Sequence, residues 1–220
     1  MIKLAIFDCD GTLVDSGATI HTALRSAFDT HGLECPPRDI TKKVIGLSLD
    51  EAMAALVPDA DHGALSQTYR DAFFAMRGAG EVEEPLFDGI VELLDMLEQD
   101  GWLLGVATGK SERGLRHCLA SHGLGGRFVT LQTADCNPSK PHPAMALAAM
   151  AETGAVPART VFIGDTAWDM GCARNAGAGA IGAGWGYHDE EELVGAGAYA
   201  VAVTPIEVVA MAGKWIGHSE

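Results

Sequence analysis

The stretch Met1-Ile2-Lys3-Leu4-Ala5-Ile6-Phe7-Asp8-Cys9-Asp10-Gly11-Thr12 decides the fold. From Leu4 to Phe7 every residue is apolar, with none of the alternation that marks a strand wetted on one face. Such a run reads as a strand buried on both sides, the habit of parallel sheets. It ends abruptly in two carboxylates, Asp8 and Asp10, with glycine next. In an open parallel sheet ligands bind beyond the carboxyl ends of the strands, where strand order reverses, so these acids fall where chemistry is expected.

Working outward, similar apolar runs occupy residues 103–107 and 161–163, and weaker ones 128–131 and 178–181. Between them lie helical patterns, such as Ile90-Val91-Leu93-Leu94-Leu97 and Leu115-Cys118-Leu119-His122, which Gly101 and Gly123 stop. Strand and helix alternate from about residue 88 onward, which predicts right-handed crossovers and a Rossmann-like, doubly wound parallel sheet of the α/β class. Residues 16–86 break the rhythm with successive helical patterns and no convincing strand. They read as an inserted α-helical cap, with hinges near Asp15-Ser16-Gly17 and Glu84-Pro85-Leu86. The catalytic core is then residues 1–15 and 87–220.

Composition narrows the partners. Of 220 residues 48% are hydrophobic, enough for a core without disulfides or structural metal. Fifteen basic residues against 30 acidic ones give a formal charge of −15, which repels nucleic-acid phosphates and anionic membranes. The five cysteines are scattered and never spaced as CxxC, so they read as thiols in a reducing compartment. No apolar run is long enough to span a bilayer, and the N-terminus lacks the apolar core of a signal peptide. The expectation is a cytoplasmic protein, monomer or homodimer, acting on a small molecule and not on nucleic acid or membrane.

After the other strands come Thr108-Gly109-Lys110, the loop to Ser139-Lys140-Pro141, and Gly164-Asp165-Thr166-Ala167-Trp168-Asp169. Asp8, Asp10, Asp165 and Asp169 thus converge on one sheet edge. Crowded carboxylates repel, at about 4 kcal/mol for a close pair at an effective dielectric near 20, and a divalent cation removes that cost. Oxygen donors without His or Cys select Mg²⁺. Lys140 and the Thr108 hydroxyl beside it suit an anion, with phosphate the natural candidate. Taken singly each fragment has a plainer reading: DxDG as a turn, Lys-Pro as loop punctuation, Asp165 as a helix cap. Their ordered occurrence at successive strand ends carries the inference.

This ordered set resembles the haloacid dehalogenase-like hydrolase superfamily across nearly the whole chain. Asp8-Cys9-Asp10-Gly11-Thr12 is similar to its first motif, Thr108 to its second, Lys140 to its third, and Gly164-Asp165-Thr166 with Asp169 to its fourth. The resemblance implies that Asp8 attacks phosphorus, that Asp10 serves as general acid and then base, and that Thr108 and Lys140 hold the phosphoryl oxygens. It implies Mg²⁺ held by Asp8, the main-chain carbonyl of Asp10 and Asp165, with Asp169 as ligand or support. Gly11, Thr12 and Gly109 are expected beside the substrate.

Asp10 points to phosphate esters or anhydrides, because the dehalogenase and phosphonatase branches lack an Asp there. Asp15-Ser16, Thr108-Gly109-Lys110 and the tail from Gly184 to Leu193 resemble the phosphoglycolate phosphatase-like branch. A phosphomutase resembling β-phosphoglucomutase, an inorganic pyrophosphatase and a non-catalytic binding module on the same fold remain as alternatives. In the cap, Lys42-Lys43-Val44-Ile45-Gly46 occupies the place of a substrate loop, so Lys43 and Gly46 are candidate substrate contacts, although paired lysines are more often simply solvated. His21, His117, His142, Trp168, Trp185 and Cys9 read as structural or exposed.

Overall fold

A computed structural model describes residues 1–218. It opens with β1 (Lys3–Phe7), whose Leu4 and Ile6 enter one hydrophobic cluster while Ala5 and Phe7 enter the other. The strand is therefore buried on both faces, as its uninterrupted apolar run requires. The cap follows as α1 (Gly17–Thr30), α2 (Arg38–Lys42), α3 (Leu49–Leu56) and α4 (His62–Gly78). Its own small core gathers Leu24, Ala27, Phe28, Met53 and Leu65.

The chain then returns to the sheet through α5 (Ile90–Gln99), β2 (Trp102–Thr108), α6 (Glu112–Ser121), β3 (Phe128–Thr133) and α7 (Ala144–Thr153). The second half runs β4 (Thr160–Gly164), α8 (Ala167–Asn175), β5 (Gly179–Ala183), α9 (Glu190–Gly195), β6 (Ala200–Ala202) and α10 (Glu207–His218). All six strands are parallel, in the order β3-β2-β1-β4-β5-β6. The order reverses around β1, so the crevice past its carboxyl end is the binding position of a doubly wound sheet.

The segments on either side of the helical insertion touch. The Asp15 N–H donates to the Pro85 carbonyl at 2.8 Å and the Phe87 N–H to the Leu13 carbonyl at 3.1 Å, with Val14 paired antiparallel to Leu86. Cap entry and exit therefore form a short two-stranded ladder. Two elements escape the sequence reading. The helix α2 is only five residues long, and β6 is a three-residue edge strand whose Ala-Val-Ala carries little pattern. Among the described residues no helix is long and apolar enough to cross a membrane.

Fully buried Leu94 of α5 packs in the cluster that also holds Phe7 and Val106. Leu94→Ala is expected to cost about 2–5 kcal/mol, read as a lower urea midpoint with an unchanged slope.

Candidate active site

Asp8 continues β1 past its last residue, and its N–H donates to the Ile163 carbonyl at 2.9 Å. Its carboxylate is fully buried. The Lys140 ammonium lies 3.0 Å from Oδ1 and also donates to Asp169 Oδ1 at 2.6 Å. Asp8, Asp165 and Asp169 each offer an oxygen within 4.8 Å of the others. Of these three buried carboxylates two share the Lys140 ammonium. Burial pushes the Asp8 carboxyl up to about 7, against the pull of Lys140 and with the help of Asp169 and Asp10. Burial likewise raises Asp165 well above the usual range, with Asp169 and Asp8 adding to it. Burial alone would lower Lys140, yet Asp169 and Asp8 hold it above its ordinary value. An acid set in this condition suits a hard divalent cation.

The backbone is shaped for the acids. Gly11 has φ +91°, and a Cβ there would stand 2.2 Å from Asp165 Oδ2; one on Gly186 would stand 2.1 Å from the Asp165 Cβ. Asp165 is oriented by the Thr12 hydroxyl, which donates to Oδ1 at 2.8 Å, and by the Tyr187 N–H, which donates to Oδ2 at 3.0 Å. This corrects two assignments. The Gly11 N–H is bonded to the Val14 carbonyl, and the Thr12 side chain is bonded to Asp165, so both brace an acid instead of facing substrate. Asp165 is not the cap of α8 either. Thr166 is, in a capping box where its hydroxyl accepts from the Asp169 N–H while its own N–H donates to Asp169 Oδ2 at 3.0 Å. Asp169 is fastened on one oxygen by Thr166 and on the other by Lys140, which favours the supporting role over direct ligation.

Asp10 faces away from this set. Its Oδ1 accepts from the Lys110 ammonium at 2.7 Å and from the Ser16 hydroxyl at 2.6 Å. The Asp10 carboxylate is thus held apart from the three acids that lie within 4.8 Å of one another. Lys110 donates in turn to Glu84 Oε1 at 2.9 Å, and Arg77 reaches Glu84 Oε2 at 3.4 Å. Burial opposes the Lys110 charge, but Asp10 and Glu84 raise its affinity for the proton well above normal. Lys110, Glu84 and Ser16 are functional neighbours that sequence reasoning missed. Their only signal was position, since Lys110 follows the second motif and the other two sit in the hinges. Thr108 is where expected, buried at the end of β2; its oxygen accepts from the Lys110 N–H at 3.2 Å, which leaves its own proton to offer an anion.

The cap loop after α2 rests directly on the core. A Cβ on Gly109 would stand 2.2 Å from the Leu47 carbonyl oxygen, and one on Gly46 3.1 Å from Thr166 Oγ1. The Ser48 N–H donates to the Ser139 hydroxyl at 2.8 Å. Gly109 and Gly46 are thus close-approach positions on the wall of a cavity that reaches Asp10. Lys43 departs from its expected role. Its ammonium pairs with Glu192 at the start of α9, its carbonyl accepts from Trp168 Nε1, and it is absent from the cavity wall. It links cap to core. Lys42 lies 5.2 Å from the Tyr187 ring centre, also off that wall. Trp185 donates to the Thr12 carbonyl, His21 pairs with Thr41, and Cys9 contacts Cys118, all in packing roles.

A doubly wound core with a helical insertion after β1, and an acid-lined crevice containing one lysine, define a capped α/β hydrolase. The comparisons agree. The model of the haloacid dehalogenase-like hydrolases matches residues 5–183. A protein of Dickeya dadantii named "Probable phosphatase IndB" is 36% identical over 218 residues, covering 96% of this chain and 94% of its own length. The phosphoglycolate phosphatase of Xylella fastidiosa is 30% identical over 192 residues, 86% and 83% of the two chains. The crystal structure of a hydrolase from Pseudomonas syringae superposes with a TM-score of 0.84 at 28% identity, covering 97% of this chain and 99% of the other. The chain belongs to the haloacid dehalogenase-like hydrolase family. Within it, the second acid Asp10 makes it a hydrolase of the phosphatase type.

Two outcomes test the geometry. Because burial raises Asp8 above its unfolded value, the metal-free fold loses stability as pH climbs from about 4 through 7. The rise in Tm on adding Mg²⁺ is therefore expected to grow across that interval and to flatten in Asp8→Asn, as followed by calorimetry. Lys110→Met, which frees Asp10 and Glu84, is expected to lower kcat at least tenfold, with partial recovery in Lys110→Arg, on the scale of a misplaced general acid.

Proposed function

We propose that the protein is a Mg²⁺-dependent phosphatase that hydrolyses a small phosphate monoester through a phospho-aspartate on Asp8. The observation that carries this reading is the Asp8 carboxylate: buried and paired with Lys140 at the reversal point of the sheet. Asp8, Asp165 and the Asp10 main chain would hold Mg²⁺, which when bound would supply neutralising charge for the acid cluster and the transferring group.

The residues divide the work. A substrate phosphorus is presented to Asp8 while Lys140 and the Thr108 hydroxyl take its peripheral oxygens. Asp8 oxygen bonds to phosphorus as the ester bond breaks, and Asp10 gives its proton to the departing alkoxide. Water then attacks phosphorus, Asp10 takes back a proton, and the bond to Asp8 breaks to release inorganic phosphate. Asp169 contributes by holding Lys140, and Thr12 by holding Asp165. The cap loop over the crevice limits water around the intermediate.

Phosphate release from a panel of phosphorylated metabolites, phosphoglycolate among them, tests the reading. Activity is expected with Mg²⁺, to vanish with EDTA, and to fall at least 10³-fold in Asp8→Asn, the order seen when a catalytic nucleophile is removed. Phosphorus NMR of the same mixtures separates the rivals: a rearranged ester marks a mutase, and consumption of pyrophosphate alone marks a pyrophosphatase. A wild type no more active than Asp8→Asn would leave only a binding module.

A further inference from the structure

Asp10 lies on the wall of a cavity of about 520 Å³ that opens between cap and core. Since Asp10 protonates the leaving oxygen, the body of the leaving group occupies this cavity. The volume falls in the range of sites for drug-sized ligands and greatly exceeds the needs of a two-carbon alcohol.

The cap side of the wall carries an apolar patch. Leu24 of α1 and Tyr69 and Phe73 of α4 face it, with Leu47 from the loop. The rings of Tyr69 and Phe73 lie 5.9 Å apart, and Phe73 sits 5.6 Å from the Lys110 ammonium that holds Asp10. An aromatic ring of the cap therefore stands beside the cation that holds the proton donor.

Most of the cations on the wall are already paired with carboxylates. Lys110 is bound to Asp10 and Glu84, Arg77 to Glu84, and Arg70 to Asp50, while Arg113 stacks at 4.7 Å on Phe74. Glu51 and Asp135 add further negative charge to the same wall. A substrate carboxylate would have to draw Arg113 off its ring or compete for a paired cation, and breaking the buried Lys110 pairs leaves their other halves uncompensated.

We infer that the preferred leaving group is an alcohol with an apolar, ring-sized body and not a short carboxylic alcohol such as glycolate. This rests on the phosphatase reading above. Apolar surface of the substrate displaces water from Tyr69 and Phe73, which is favourable, whereas a second anion meets a wall where Lys110, Arg70 and Arg77 are already paired with carboxylates.

The test compares kcat/KM for benzyl phosphate, phosphoglycolate and acetyl phosphate with the Mg²⁺-loaded full chain. Benzyl phosphate is expected to exceed phosphoglycolate at least tenfold, the discrimination an apolar pocket gives for a modest apolar group. Phe73→Ala is expected to erase most of that ratio through KM, and Phe73→Leu to retain part of it. Because both esters are assayed on one preparation, a loss of folded protein lowers both rates and leaves the ratio intact. A ratio at or below one, or one unmoved by Phe73→Ala, overturns the inference while phosphoglycolate turnover leaves the phosphatase reading standing. Release of phosphate from none of the three, acetyl phosphate included, overturns both.

Discussion

Three carboxylates and one ammonium, all removed from water, dominate this molecule. Asp8, Asp165 and Asp169 lie together without solvent, and Lys140 answers only part of their charge. Much of the surrounding backbone serves that imbalance. Gly11 and Gly186 are side-chain-free so that Asp165 can approach. The first turn of α8 closes on itself through Thr166 and Asp169, so one acid is fixed before any ligand arrives. The arrangement tolerates its own repulsion because a cation can complete it, and the same unmet charge makes the cation bind.

The fourth acid shows how environment divides chemically identical groups. Asp10 stands two residues from Asp8 on the same strand exit, yet its carboxylate turns to Lys110 and Ser16. Lys110 also binds Glu84, which lies in the returning hinge. The proton-transfer group is thereby tied to both connections of the cap, while the nucleophile is tied only to the core. Cap position and the placement of Asp10 are mechanically joined in a way that cap position and Asp8 are not.

The core was legible from local pattern because a strand buried on both faces needs an unbroken apolar run, as residues 4–7 supply. The ordered motifs placed Asp8, Asp10, Thr108, Lys140, Asp165 and Asp169 at strand ends, and the fold brings them to one crevice. Partnerships were less legible. Glu84 and Lys110 are 26 residues apart and Asp10 and Lys110 are 100, and nothing in either neighbourhood records the pairing. Thr12 and Gly11 looked like substrate contacts because they follow the nucleophile, but the chain's turn there directs them to Asp165. Lys43 looked like an anion site because it is cationic and lies in the loop, and its partner Glu192 is visible only once α9 is seated beneath it.

The hinge ladder carries one more implication. Asp15 and Pro85 are joined by a hydrogen bond although seventy residues of chain run between them. The whole cap thus leaves and rejoins the core at nearly one point, and the parallel sheet is closed without it. Joining those neighbours by a tight turn would cost little loop-closure entropy, since the ends are already together. In architectural terms the cap is a graft. Without it Lys110 would keep Asp10 and lose Glu84.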